Sequence, residues 1–305
     1  MKNTIWIVIV TFNAENWIDA CLNSIVNSTI DLNAVIIDNA STDHTADLVL
    51  NNFPQFKLIQ QKSNHGFGYS NNIGISYGLK QGAEYIALLN QDAKLHIHTI
   101  EVLIRYSKKY PEYGILSPML YSYDGNLLDN YMLKWIFCEN IEFASELFFK
   151  REKEVYDVNL MPGAMWLMRR EALETAGGFD PVFFMYGEDD DLWRRMKLRG
   201  WKAGFFAKTY AYHNQISSSY TIKKRVWYAS AVLLLQLKNQ NESFLTCLGG
   251  VFFRYFRNTL FSLINFNKSE FFVHQLSFYS ILFRLNTIRK NRFLSYSSKM
   301  PFLKY

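Results

Sequence analysis

Apolar runs closed by polar clusters recur between Ile5 and His213, separated by segments with helical spacing. Ile5-Trp6-Ile7-Val8-Ile9-Val10 predicts a buried parallel strand that closes in Thr11-Phe12-Asn13. Ile18, Leu22, Ile25 and Val26 follow at the spacing of one helix face. Residues 34–37 predict a second strand, closing in Asp38-Asn39-Ala40-Ser41-Thr42-Asp43, where Ser41 or Asp43 can cap a helix that turns Leu48 and Val49 inward. A third strand is expected over 56–59. A helix over 69–80 leads to a fourth strand from Tyr85, which closes in Asn90-Gln91-Asp92. Strand–helix alternation with short connections predicts an α/β fold built on a mostly parallel sheet covered on both faces. Ligands bind beyond the C-terminal ends of such strands. Three polar clusters at that edge therefore outline a pocket.

Each cluster alone has an ordinary reading as a turn or a helix cap. Asp92 is nevertheless well placed for a hard divalent cation that bridges to phosphates. In the loop Asn64-His65-Gly66-Phe67-Gly68, followed by Asn71, Asn72 and Gly74, the glycines permit close backbone approach. The asparagines offer donors and acceptors to a sugar or diphosphate. The loop is neither a P-loop nor the dinucleotide fingerprint. Met161-Pro162-Gly163-Ala164-Met165-Trp166 suits a strand approaching a ligand, or plain core. Gly177-Gly178-Phe179-Asp180-Pro181 reads as a turn, with Asp180 a local cap.

Glu188-Asp189-Asp190-Asp191 open a helix with Leu192, Met196 and Leu198 facing inward and Arg194, Arg195, Lys197 and Arg199 facing out. A helix N-terminus favours negative charge. Four crowded carboxylates also repel, which raises the proton affinity of at least one, as a general base requires. His213 closes a strand over 209–212, a place where a lone histidine is ordinarily a polar surface or core residue. His96 and His98 read as surface residues entering a helix near Thr99.

Composition adds little until charge is located. The 305 residues are 49% hydrophobic and 17% aromatic, enough for a substantial core. Cys21, Cys138 and Cys247 are too dispersed for a metal knuckle or a disulfide framework, which suits a reducing cytoplasm. The first apolar run lacks a small-residue cleavage site and reads as a strand, not a signal peptide. From Gln215 onward thirteen Lys or Arg face two acids, against twenty and twenty-five elsewhere, so the parts carry +11 and −5.

The motifs, taken in order, resemble the family 2 glycosyltransferases of the GT-A fold, nearest the bacterial rhamnosyltransferase type. The resemblance rests on Val10-Thr11-Phe12-Asn13, Asp38 to Asp43, Asn64-x-Gly66-Phe67-Gly68 with Asn71 and Gly74, and Asn90-Gln91-Asp92. Gly177-Gly178-Phe179-Asp180, Glu188-Asp189-x-Asp191-Leu192 and His213 complete it. It implies a nucleotide-sugar-binding domain over 1–214 with a helical extension over 215–305. It implies Asp189 as general base with Glu188 beside it, and Asp92 and His213 as ligands of Mg2+ or Mn2+. Donor contacts would come from Thr11, Phe12, Asn13, Asp38, Asn64, Gly66, Asn71, Asn90, Gln91, Gly163 and Ala164, and Asp191 would be structural. Asn90 departs from the family's Asp-x-Asp motif and offers a cation only an amide oxygen. The implied reaction is inverting transfer of a sugar, rhamnose from a thymidine diphosphate donor first among them, to a lipid-linked saccharide in surface polysaccharide synthesis. The rival readings are a non-catalytic sugar-nucleotide-binding or scaffolding subunit, and a nucleotidylyltransferase. The latter lacks its Gly-rich, basic phosphate loop after the first strand.

The basic tail contains apolar segments over 226–237, 244–264 and 271–293, the last two broken by Arg or Lys, and none is long enough to predict a transmembrane helix. Basic, aromatic-rich helices suit the headgroup region of an anionic membrane on the cytoplasmic face. The alternative is packing on the catalytic domain or on a second copy in a homodimer. Cations interleaved with Leu and Phe, with no binding motif, argue against nucleic acid.

Overall fold

The computed structural model describes residues 4–136, 140–151, 153–158, 163–214 and 221–304. Its elements in order are β1 (Ile5–Thr11), α1 (Ile18–Val26), β2 (Asn33–Asp38), α2 (Thr45–Asn52), β3 (Lys57–Gln60), α3 (Phe67–Lys80) and β4 (Tyr85–Leu89). Then come β5 (Ala93–Leu95), α4 (Thr99–Lys109), β6 (Tyr113–Ser122), α5 (Asn130–Lys134), α6 (Ile141–Phe148), β7 (Val155–Asp157) and β8 (Met165–Arg169). After α7 (Arg170–Ala176), α8 (Glu188–Leu198) and β9 (Lys202–His213), four helices finish the chain. These are α9 (Ile222–Leu237), α10 (Phe244–Ile264), α11 (Lys268–Leu282) and α12 (Leu285–Ser297).

The strands form one sheet in the order β3-β2-β1-β4-β8-β6-β9-β5, with β7 on β9. The pairs β3–β2, β2–β1, β1–β4 and β6–β9 are parallel. Helices cover both faces, so Ile7, Val8 and Ile9 are all fully buried, as an unbroken apolar run requires. Strand–helix alternation did not foretell β8, which runs antiparallel between β4 and β6. Its reversal matters for the site. Met165, at its start, pairs with Leu89, at the end of β4, so Gly163 and Ala164 arrive at the edge where Asn90 begins.

Several local expectations shift. Val26 is exposed rather than inward, while Ile18, Leu22 and Ile25 are buried. His44 immediately precedes α2, but Asp43 does cap its first turn, accepting from Thr45 N at 3.1 Å, while Ser41 turns to Asp38. Gly163 and Ala164 form a turn before β8 rather than part of a strand, and Met161, Pro162 and Cys138 lie outside the described residues. In α8, Leu192 and Met196 are buried, but Leu198 is exposed and Arg195 is fully buried.

The helices after His213 pack against the sheet domain. Thr221, Ser243 and Asn267 cap α9, α10 and α11 by accepting from backbone N–H groups three residues on. Leu234, Leu237, Val251, Phe278, Ile281 and Ile288 form a second core that also takes in Val182 and Phe183 from the segment before α8. The chain then returns to the main core, where Leu303 is buried and Gly178 N donates to Pro301 O at 2.9 Å. Among the described residues no helix is long and apolar enough to cross a membrane.

Candidate functional site

The C-terminal ends of β1, β2 and β4 are tied together by their polar residues. Thr11 Oγ1 donates to Asp38 Oδ1 at 3.0 Å, and Ser41 donates to Asp38 through both its hydroxyl and its backbone N–H. Both Thr11 and Asp38 are buried, so they shape the edge and leave Phe12 and Asn13 exposed along it. Asn13 in turn receives Thr42 N at 2.9 Å, and Phe12 N donates to Gln91 Oε1 at 2.8 Å.

The asparagine–glycine loop closes the same edge from the side. Asn64 Oδ1 accepts from Gly66 N at 2.9 Å, and Asn39, buried at the end of β2, bonds Asn64, His65 and Gly66. Gly66 has φ +87°, and a Cβ there would come within 2.1 Å of Phe184 O. Any side chain would push the loop off the segment leading into α8. Asn39, Asn64, Gly66, Asn90, Gln91 and Asp92 share one open cleft with Phe12 and Met185. Asn71 lies apart, buried in α3 with its amide donating to Phe67 O at 3.1 Å.

Asp92 and His213 meet because β5 pairs antiparallel with β9, setting Ala93 opposite His213. His213 Nε2 lies 3.7 Å from Asp92 Oδ1 and 3.4 Å from the Asn90 amide nitrogen. Its Nδ1 faces the fully buried carboxylate of Asp129 at 3.0 Å. A carboxylate on one ring nitrogen orients the other toward a ligand, as in many metal-bound histidines. Asn90 Oδ1 is enclosed without a hydrogen-bond partner. Burial pushes the Asp92 carboxyl up, and Asp129 adds to this while His213 opposes it. Among the described residues no three His, Cys, Asp or Glu side chains gather as a cation site. The groups here that could hold a cation are Asp92, His213 and the orphaned amide oxygen of Asn90, an oxygen–nitrogen set of the kind that takes Mg2+ or Mn2+ when substrate phosphates complete the shell.

The acidic start of α8 reaches this edge through Gly163, whose neighbour Ala164 accepts from Asn90 N. Gly163 N donates to Asp189 Oδ2 at 2.9 Å, and a Cβ on Gly163 would approach that oxygen to 2.8 Å. Asp189 Oδ1 and Glu188 Oε2 are shielded from solvent and unpartnered. Burial pushes the Asp189 carboxyl up to about 7, with Asp190 adding to it and the Gly163 N–H opposing. Glu188 is pushed well above the ordinary carboxylate range by burial and by Asp189. Asp191 behaves differently: burial works against its charge, but Lys238 and Arg195 outweigh burial and hold it low. One helix turn thus carries a carboxylate held in its charged form and two whose proton affinity is raised.

The sequence profile described as Glycosyl transferase family 2 matches residues 6–177, more than half of the chain. The chain belongs to glycosyltransferase family 2. The N-acetylglucosaminyl-diphospho-decaprenol L-rhamnosyltransferase of Mycobacterium tuberculosis is 23% identical over 241 residues, 72% of this chain and 78% of that protein. The rhamnosyltransferase WbbL of Escherichia coli K12 is 23% identical over 263 residues, 73% and 94% of the two chains. The mannosyltransferase PcManGT of Pyrobaculum calidifontis, solved with GDP-Man and Mn2+, superposes with a TM-score of 0.57 at 15% identity, over 94% of this chain and 76% of that one. The fold is GT-A.

Three residues that brace this edge in the family 2 glycosyltransferase carry little local signal. Asp129 backs His213 from 84 residues away, Asn39 pins the loop at Gly66 from 27 away, and Lys238 reaches Asp191 from the tail. Only the polar character of Asn39 within the second cluster hinted at its part. His96 and His98 lie outside the cleft, His98 exposed and His96 half-buried, as surface residues should.

Proposed function

We propose that the chain is an inverting glycosyltransferase that moves rhamnose from a thymidine diphosphate donor to a hydroxyl of a lipid-linked saccharide in O-antigen or capsule synthesis. Residues 1–214 form the catalytic part and 215–305 a helical extension that meets the anionic cytoplasmic face of the membrane. The observation that carries the catalytic reading is Asp189: an enclosed carboxyl, anchored through one oxygen by Gly163 N–H, with its other oxygen free and its proton affinity raised to near neutrality. That is what a general base toward a sugar hydroxyl requires. The two relatives named as rhamnosyltransferases support the choice of sugar.

Asp189 takes the proton of the acceptor hydroxyl. The hydroxyl oxygen bonds to the anomeric carbon from the face opposite the diphosphate, the carbon–oxygen bond to the diphosphate breaks, and the configuration inverts. Glu188 fixes the acceptor, while Phe12, Asn13, Gln91 and the loop at Asn64 and Gly66 hold the donor. Thr11 and Asp38 support that wall from within, Asn71 braces the start of α3 behind it, and Gly163 places Asp189. A divalent cation held by Asp92 and His213, with the Asn90 amide oxygen, would supply counter-charge to the leaving diphosphate.

The test is a panel of nucleoside diphosphate sugars offered to the purified full chain with a polyprenyl-diphosphate saccharide. Product should form from dTDP-rhamnose in preference to the other donors. Preference for a UDP- or GDP-hexose would overturn the sugar assignment but leave the transferase reading standing. No transfer from any donor, with tight nucleotide binding, would favour a non-catalytic subunit.

A further inference from the structure

α10 carries an apolar stripe with no protein against it among the described residues. Phe253, Phe256, Leu260 and Ile264 succeed one another at helical spacing and are 68%, 63%, 59% and 65% exposed. The stripe runs onto the turn into α11, where Phe266 stands 92% exposed at φ 51°. The opposite side of the helix is fully occupied: Cys247 and Val251 are buried, and Tyr255 stacks on Phe278 with ring centroids 3.8 Å apart. Packing within the chain therefore does not call for these side chains. A contiguous apolar face of this kind on a soluble surface marks an interaction site.

Charge selects the partner. Arg257 and Lys268 are exposed beside the stripe. The tail's two acids are Glu242, exposed before α10, and Glu270, held by Arg225. A two-fold dimer sets a patch against itself, so it would bring two sets of these cations into one interface with no free acid in the patch, among the described residues, to pair them. An anionic bilayer supplies the missing counter-charge. Among the described residues no helix is long and apolar enough to cross, and an amphipathic basic helix suits the plane of the interface.

We propose that the α10–α11 hairpin is the membrane-insertion element, with Phe253, Phe256, Leu260, Ile264 and Phe266 sunk among the acyl chains of an anionic leaflet and Arg257 and Lys268 at its headgroups. This deepens the reading of a lipid-linked acceptor, since it names the surface that brings the cleft to such a substrate.

Vesicle co-sedimentation of the full chain tests it without donor or acceptor, so the result is independent of the transferase assignment. The chain should bind phosphatidylcholine vesicles containing phosphatidylglycerol, and bind pure phosphatidylcholine poorly. Raising the salt should weaken the binding without abolishing it. The combined Phe253→Ser, Phe256→Ser and Phe266→Ser variant should lose about 100-fold or more in partitioning, with its melting temperature unchanged. Phe256→Trp should be quenched by lipids brominated in their acyl chains. The proposal fails if the triple variant binds vesicles as well as the unaltered chain, or if Phe256→Trp escapes quenching. It fails equally if the unaltered chain ignores anionic vesicles and forms a dimer, by light scattering, that the triple variant dissolves.

Discussion

Lys238 Nζ stands 3.3 Å from Asp191 Oδ1, with both side chains all but sealed from water. The same ammonium contacts Asp180, and Arg195 Nε donates to Asp191 at 2.9 Å, so two buried cations balance two buried carboxylates. Ser295 and Asn291 of α12 satisfy the remaining hydrogen bonds. Asp180 still caps its own turn, through Val182 N at 2.9 Å, but its larger part is to receive the tail. The helical extension is therefore joined to α8 through its charges as well as its apolar faces.

Removing Lys238 alone should be severe. Lys238→Met leaves a net negative charge in a site without water, a change that typically costs about 3–5 kcal/mol. The denaturation midpoint should fall accordingly, and Lys238→Arg should recover part of it. A chain ending near Gln215 loses the same cation and the second core, so it should fail to give a cooperative unfolding transition. A truncated chain that melts cooperatively near the temperature of the full one would show that the network contributes little.

Asp189→Asn should lower transfer by roughly 10²–10⁴, the usual worth of general-base assistance, and leave donor affinity nearly unchanged. For the unaltered chain, kcat/KM should fall as pH drops through about 7, because the base is then protonated. Full turnover by Asp189→Asn, or a rate flat down to pH 5, would remove Asp189 from that role.

The same carboxyl predicts a stability effect of opposite sign. Its folded pKa is raised above the ordinary value of 3.8, so the native state holds a proton that the unfolded state releases. The stability it contributes is present below the unfolded value and is lost as pH rises through about 7. Asp189→Asn should therefore melt higher than the unaltered chain at pH 8, and the gap should close toward pH 4. Equal melting temperatures at both pH values would mean that the carboxyl is not strained by burial.

What the sequence disclosed and what it hid follow from range. The ends of β1, β2 and β4 were legible because a parallel strand buried on both faces is apolar until the residue where it emerges, so Asn13, Asp38 and Asp92 stand out against their runs. Asp189 was legible as one of four adjacent acids. Arg195 was not: at a polar position of an amphipathic pattern it read as solvent-facing, and only Asp191, with the carbonyls of Ala176 and Gly178, makes its burial favourable. Lys238 lies 58 residues from Asp180, and Asp129 lies 84 from His213. No local period marks such pairs. The antiparallel course of β8 was equally hidden, since four apolar residues and an arginine carry no direction.

Asp129 gives the last test, because it separates a cation site from a mere ion pair. Its carboxylate faces His213 Nδ1 and is fully buried, while Nε2 faces Asp92 and Asn90. If His213 binds a cation through Nε2, Asp129 fixes the ring and its tautomer, and loss of such a partner typically costs 10–100-fold in metal affinity. Asp129→Asn should then weaken Mn2+ binding by about that factor, read by the water-proton relaxation of Mn2+ in the presence of donor. Asp92→Ala and His213→Ala should weaken it further, and excess chelator should suppress transfer by the unaltered chain. Asn90→Asp, which restores a carboxylate beside the same ring nitrogen, should tighten Mn2+ binding. Transfer that persists in chelator, with Mn2+ relaxation unchanged across all four variants, would mean that His213 is held by Asp129 and Asp92 for packing and charge alone.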